Sequence, residues 1–214
     1  MSESAPVVHV VDDDASFLTA VSRLLRAAGY TVRASSKAEE FLAQLADTPG
    51  CVIADLQMPG LSGLDLQAAL TRAGHMLPVI FLSGHGDIPI TVQAMRQGAE
   101  DFLTKLAPKE ELLDAVKRAL ARDARQRAER ARLRELRARF DALTPRERGV
   151  LQHVVQGRLN KQIAADLGIN ERTVKLHRTA ITTKLHVRSA AELARLVQEA
   201  GVFDERSPTF PKGL

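Results

Sequence analysis

Residues 7–14, Val-Val-His-Val-Val-Asp-Asp-Asp, set a short, mostly apolar run directly against three carboxylates. The pattern returns three times. Residues 51–54 lead into Asp55, residues 78–82 into Ser83, and residues 100–103 into Thr104-Lys105. Runs of this length, separated by helical patterns, read as buried parallel strands. In an open α/β sheet, ligands bind at the carboxyl ends of the strands. Such a fold gathers Asp12, Asp13, Asp55, Ser83 and Lys105 into one pocket. Three carboxylates, a hydroxyl and an ammonium suit a divalent cation and a phosphoryl group.

Helical patterns fill the gaps between these runs. Phe17, Leu18, Val21, Leu24 and Leu25 form an amphipathic stretch that ends at Gly29, and residues 31–34 make a second strand. Ser36-Lys-Ala-Glu39 reads as a capping box for the next helix. Helices over 64–70, over 90–96 and from Pro108 complete five βα repeats, which predict a three-layer α/β domain with a five-stranded parallel sheet. The last helix shows no stop signal from about 110 to 139. Its apolar stripe weakens among arginines, short of the heptad a coiled coil needs. Residues 1–120 form the first domain in this reading, 121–142 a linker helix, 143–202 a second domain and 203–214 a frayed tail. Four capped helices make the second domain: Thr144-Pro145-Arg146-Glu147 opens the first, Asn160 caps the second, Asn170 the third and Ser189 the fourth.

The net charge of +4 hides an asymmetry. Residues 1–114 carry 8 Lys/Arg against 15 Asp/Glu, while residues 115–214 carry 22 against 11. A basic half fits a polyanion such as DNA, although the arginine-rich helix also reads as a solvated face. The lone Cys51 excludes an internal disulfide. With no signal peptide and no apolar run long enough to cross a bilayer, the expectation is a cytoplasmic protein away from the membrane.

Adjacent carboxylates repel, and a bound cation relieves that. Magnesium takes oxygen ligands and keeps several waters. Asp13 directly, Asp12 through water, Asp55 and the backbone carbonyl of Gln57 would supply them. Asp14 reads as the cap of the following helix. A carboxylate beside a metal can attack phosphorus to form an acyl phosphate, which gives Asp55 a nucleophile's role. Ser83 and Lys105 can engage phosphoryl oxygens. His85 reads as a surface loop residue.

In the second domain, residues 160–167, Gly168 and residues 171–185 read as helix, tight turn, helix. Val174, Ile181 and Leu185 share an inward face; Arg172, Lys175, Leu176, Thr179 and Thr183 share the opposite one. A leucine and threonines among basic residues suit a major groove. Lys161 and Thr173, at helix starts, suit phosphates. His177 and Arg178 flank the inward face, where packing and DNA contact are equally open.

Val-Asp-Asp-Asp, Asp-Leu-Gln-Met-Pro-Gly-Leu-Ser-Gly, Phe-Leu-Ser-Gly-His-Gly-Asp and Asp-Phe-Leu-Thr-Lys together resemble the receiver domains of two-component response regulators. The C-terminal part resembles the LuxR-type helix-turn-helix. The pair is similar to the FixJ/NarL group, and most to its FixJ members, over about residues 7–120 and 143–197. The resemblance implies a doubly wound, flavodoxin-like receiver, a long linker helix and a four-helix DNA-binding domain. It makes Asp55 the phosphoacceptor, Asp12 and Asp13 the acidic pair on Mg2+, Ser83 and Lys105 the phosphoryl partners, and Phe102 the switch aromatic. It puts Lys175, Leu176 and Thr179 at bases. It implies a non-enzymatic regulator with a sensor histidine kinase, promoter DNA, RNA polymerase and a second copy of the chain as partners. One departure stands out. The family usually has Lys-Pro, with a cis peptide, where this chain has Lys105-Leu106. A cis bond before a residue other than proline costs about 2.5–4 kcal/mol, so a trans bond and an altered presentation of Lys105 are expected. Two other readings remain open: a DNA-binding regulator with a degenerate, unphosphorylated receiver, and a magnesium-dependent phosphohydrolase. The second would need a further acid-base carboxylate, where Gln57 stands.

Overall fold

A computed structural model describes residues 5–84 and 88–203. They divide into two compact units, the first ending at Ala128 and the second beginning at Glu129. In the first, β1 (Val7–Val11), α1 (Ala15–Ala27), β2 (Thr31–Ser35), α2 (Ala38–Gln44), β3 (Gly50–Asp55), α3 (Gly63–Arg72), β4 (Val79–Ser83), α4 (Ile88–Arg96) and β5 (Asp101–Thr104) alternate, and α5 (Lys109–Asp141) follows. All neighbouring strands pair in parallel, in the order β2-β1-β3-β4-β5. The chain leaves β1 toward β2 and returns on its other side at β3, so a crevice opens at the carboxyl ends of β1 and β3.

Side chains alternate across a strand, and each face of this sheet is covered. Val8, Val10, Ile53 and Ile80 pack with Leu25, Leu112 and Val116. Val11, Val52, Ala54 and Phe81 pack with Phe41, Leu66 and Ala94. The expected sheet is present, with strand ends shifted by a residue or so. The expected cap at Ser36 is not. Lys37 occupies the cap position in extended conformation and makes no side-chain cap bond. Ser36 therefore lies one residue outside the helix, and Glu39 instead accepts from the Leu61 N–H at 3.2 Å.

The second unit holds the later turns of α5 with α6 (Pro145–Val155), α7 (Asn160–Leu167), α8 (Glu171–Leu185) and α9 (Ala190–Ala200). Phe140, Leu151, Ile163, Val174, Ile181 and Leu185 form its core. Thr144, Asn170 and Ser189 cap as expected. Asn160 does not. It is the first helical residue after Leu159, and its carboxamide oxygen accepts from Arg178 at 3.0 Å. Gly168 ends α7 at φ 63°, a left-handed conformation that a glycine adopts without steric cost. The expectations for His85 and for the tail beyond residue 203 lie outside the described residues.

One buried group makes the sheet acid-sensitive. His9 packs edge-on to Phe41, with ring centroids 5.1 Å apart. Burial, and then the charge of Arg33, lower its pKa to about 4. The folded chain thus excludes a proton that the unfolded chain takes up near pH 6.5. This contribution is complete above pH 6.5 and declines as pH falls toward 4, by about 3 kcal/mol in total. Denaturation at pH 7 and pH 4.5 should show a shallower loss in His9→Leu than in the native chain. Equal losses would remove His9 as the cause.

Candidate functional site

Parallel register assembles the pocket. Val11 lies opposite Ala54, Asp55 opposite Leu82, and Ser83 opposite Thr104. Asp12 follows β1, Asp55 ends β3, Ser83 ends β4 and Lys105 follows β5, so all four reach the same edge. The Lys105 N–H donates to the Ser83 carbonyl at 2.8 Å. Lys105 Nζ sits 2.7 Å from Asp12 Oδ2 and 2.9 Å from Asp55 Oδ2. The other oxygens are held locally: the Asp14 N–H donates to Asp12 Oδ1 at 2.9 Å, and the Gln57 N–H approaches Asp55 Oδ1 at 3.4 Å.

The described residues contain no cis peptide bond, as expected at Lys105-Leu106. Across this trans bond Lys105 reaches both carboxylates, while Leu106 is 91% exposed. Burial raises the Asp12 carboxyl above the ordinary range, Asp55 adds to that, and the hydrogen bonds from Lys105 and Asp14 oppose it. Burial alone would lower the Lys105 ammonium, but its bonds to Asp12 and Asp55 outweigh this and raise it.

Carboxylate oxygens of Asp12, Asp13 and Asp55 lie within 4.8 Å of one another. Asp12 and Asp55 are buried and Asp13 is exposed, beside a cleft that Gln57 also lines. One ammonium faces three carboxylates, and every side-chain donor in this cluster is oxygen. The cluster thus fits magnesium in charge and donor type. Asp14 faces elsewhere, capping α1 by accepting from the N–H groups of Ser16 and Phe17. Phe102 on β5 is half-buried against the cluster that holds Phe81, Ala94 and Ala99.

Two residues at the pocket were not singled out from sequence for it. Phe17 places its ring under the Lys105 ammonium, 4.6 Å from centroid to Nζ. Its helical spacing marked it only as core; its place one turn after the aspartates was the available signal. A Cβ on Gly63 would run into the Asp55 carbonyl and the Phe81 ring.

On α8, Val174, Ile181 and Leu185 are buried, while Arg172, Lys175, Leu176, Thr179 and Thr183 are exposed. Leu176 is 64% exposed. Lys161 is exposed in the first turn of α7. The Thr173 hydroxyl donates to the cap oxygen of Asn170 at 2.9 Å, and the Thr179 hydroxyl to the Lys175 carbonyl at 3.1 Å. Both hydroxyl protons are therefore used locally. Arg178 is tied to Asn160, and His177 is half-buried.

Residues 8–117 match the response regulator receiver domain, and residues 141–197 match the bacterial regulatory proteins of the luxR family. The chain is 44% identical over 199 residues to the response regulator protein TodT of Pseudomonas putida, covering 92% of this chain and 88% of that one. It is 41% identical to the transcriptional regulatory protein FixJ of Azorhizobium caulinodans, over 98% of this chain and 100% of that one. Among solved structures, the response regulator StyR superposes with a TM-score of 0.83 at 44% identity, over 92% of this chain and 100% of that chain.

The adjacent aspartates separate experimentally. Asp13→Ala should weaken Mg2+ binding about tenfold or more in calorimetric titration. Asp14→Ala should leave Mg2+ affinity near the native value and lower stability by about 1 kcal/mol. The opposite assignment of effects would exchange their roles.

Proposed function

The chain belongs to the response regulators that join a receiver domain to a LuxR-type helix-turn-helix, a family of phosphorylation-dependent transcription regulators, and from that premise we propose that Asp55 is its phosphoacceptor. The carrying observation is the ammonium of Lys105 between buried Asp12 and Asp55, with exposed Asp13 alongside. In this reading, an Asp55 carboxylate oxygen attacks phosphorus of a phosphohistidine on a sensor kinase. The new O–P bond forms as the N–P bond breaks, and the imidazole leaves with the bonding pair and takes up a proton. Lys105 and Ser83 hold phosphoryl oxygens during transfer. Magnesium on Asp12, Asp13, Asp55 and the Gln57 carbonyl would neutralise charge on those oxygens.

The output follows from two exposed surfaces. Ile88, Val92 and Met95 on α4 are exposed apolar residues, as is Leu106 after β5. Phosphorylation shifts Ser83 and Phe102, re-shapes the face over 89–114 and favours a homodimer or release of the DNA-binding domain. Lys161, Arg172 and the amino end of α8 meet phosphates; Lys175, Leu176 and Thr179 meet bases. Thr173 supports that helix start through Asn170 rather than offering a free hydroxyl proton. Promoter DNA and RNA polymerase are the downstream partners, and the cytoplasm is the compartment. No helix among the described residues is long and apolar enough to cross a membrane.

Acetyl phosphate with Mg2+ should put an acid-stable, base-labile label on the native chain and none on Asp55→Asn. Equal labelling of the two would move the phosphoacceptor elsewhere. No label on either would favour the degenerate receiver.

The DNA assignments divide by salt and sequence. Lys161→Ala should weaken binding to all duplexes alike and flatten the salt slope by about one unit. Lys175→Ala should cost about 1–3 kcal/mol, mainly on the preferred site. Titrations on specific and random duplexes at several salt concentrations decide. Equal weakening by Lys175→Ala on both would make it a phosphate anchor.

A further inference from the structure

We infer that Phe17 is a positioning residue that holds the Lys105 ammonium at the reacting edge of the pocket, an inference that rests on the reading of Asp55 as phosphoacceptor. A lysine ammonium ends a flexible four-carbon stem. The main chain of Lys105 is fixed by its bond to Ser83, but that bond does not orient Nζ. Three groups do: Asp12 at 2.7 Å, Asp55 at 2.9 Å and the ring of Phe17 at 4.6 Å. The residue after Lys105 gives no packing restraint, since Leu106 is almost fully exposed.

The carboxylates are variable partners. Phosphoryl transfer consumes the charge of one Asp55 oxygen, and a metal draws on both Asp12 and Asp55. The ring is neutral and keeps its attraction for a cation through those changes. Its own position is set by the start of α1 and by core packing. Phe17 lies in the first turn of α1, where its N–H donates to the Asp14 cap at 3.1 Å. Its side chain packs against the cluster of Val8, Val10, Val21 and Leu25. The Asp12-Asp13-Asp14 run thus has three jobs, and the third reaches the pocket through Phe17.

The test compares acetyl phosphate labelling of full-length native chain, Phe17→Leu, Phe17→Tyr, Lys105→Met and Phe17→Leu/Lys105→Met. Leucine keeps an apolar side chain and removes the π face; tyrosine keeps the face. Phe17→Leu should slow labelling about five- to tenfold, and Phe17→Tyr should stay within about twofold. Phe17→Leu should add no further loss in the Lys105→Met background. A second measurement needs no phosphorylation: the Lys105 ε-methylene NMR signals should be ring-shifted upfield in native chain and Phe17→Tyr, and lose the shift in Phe17→Leu. Unchanged labelling in Phe17→Leu, or equal slowing in both Lys105 backgrounds, overturns the positioning role. An absent ring shift overturns the contact. The phosphoacceptor reading fails separately, through equal labelling of Asp55→Asn.

Discussion

Two carboxylates buried side by side at the edge of a parallel sheet repel each other, and the ammonium of Lys105 between Asp12 and Asp55 makes their burial tolerable. Like charges a few ångströms apart cost several kcal/mol in a partly desolvated site. A protonated partner would relieve that, and burial does raise the Asp12 carboxyl. The bond to Lys105 and the Asp14 N–H oppose that rise. Counting Asp13, the pocket sets three carboxylates against one ammonium, a deficit of positive charge. That deficit is what fits it to a metal, and Asp13, exposed beside the buried pair, is where the deficit meets solvent.

Most of the fold was legible because its strands are short buried runs whose ends carry the polar residues. Parallel pairing then fixes which ends meet, so Asp12, Asp55, Ser83 and Lys105 could be grouped before any geometry. What escaped was local competition and long-range contact. Ser36 and Asn160 each stand one residue from a helix boundary, on opposite sides of it. A capping pattern cannot distinguish these positions when extended backbone at Lys37 or Leu159 serves as well. Phe17 fits an apolar stripe, and nothing in that spacing reveals a lysine 88 positions later. The peptide before Leu106 is trans, as the cost of a cis bond there predicts, and the length of the lysine stem still brings Nζ to both carboxylates.

Charge counting was similarly partial. The excess of arginine along α5 resembles a polyanion-binding stripe. Much of it is committed within its own unit. Arg118 pairs with Asp101, Arg122 with Glu100, and Arg127 with Asp47 and Asp123. Asp123 also accepts from the Gly50 N–H at 2.9 Å, so this ion pair secures the start of β3. Further along, Arg132 pairs with Glu199, and Arg139 with Glu135. In the second unit, Lys184 reaches buried Glu147 at 2.7 Å. The bond to Lys184, with those to Thr144, holds that carboxyl below its usual range despite the opposing effect of burial. Removing one partner would strand a buried charge, which costs far more than the pair itself contributes. These cations are structural. Lys161, Arg172 and Lys175, by contrast, are exposed on α7 and α8 of the helix-turn-helix.

The same pairing logic limits how the pocket can speak to the rest of its unit. Ser83 is buried at the end of β4, and its carbonyl holds the Lys105 N–H. Two residues back, Phe81 stands opposite Phe102 in the β4–β5 register. In the proposed reading, a pull on Ser83 toward a group on Asp55 would load β5, and Phe102 with it, through main-chain bonds. Phe102 is only half-buried, so a new rotamer there opens less of a cavity than one in the fully buried Phe81 would. A two-position side chain is inexpensive at such a site, whereas core side chains are locked by close packing. The apolar exposure of Ile88, Val92 and Met95 lies on α4, which packs against β5, so a change at Phe102 has an adjacent surface to alter. In the proposed reading the chemistry occupies the carboxyl edge of the sheet and the response the face beside β5, and the β4–β5 pairing is the physical connection available between them.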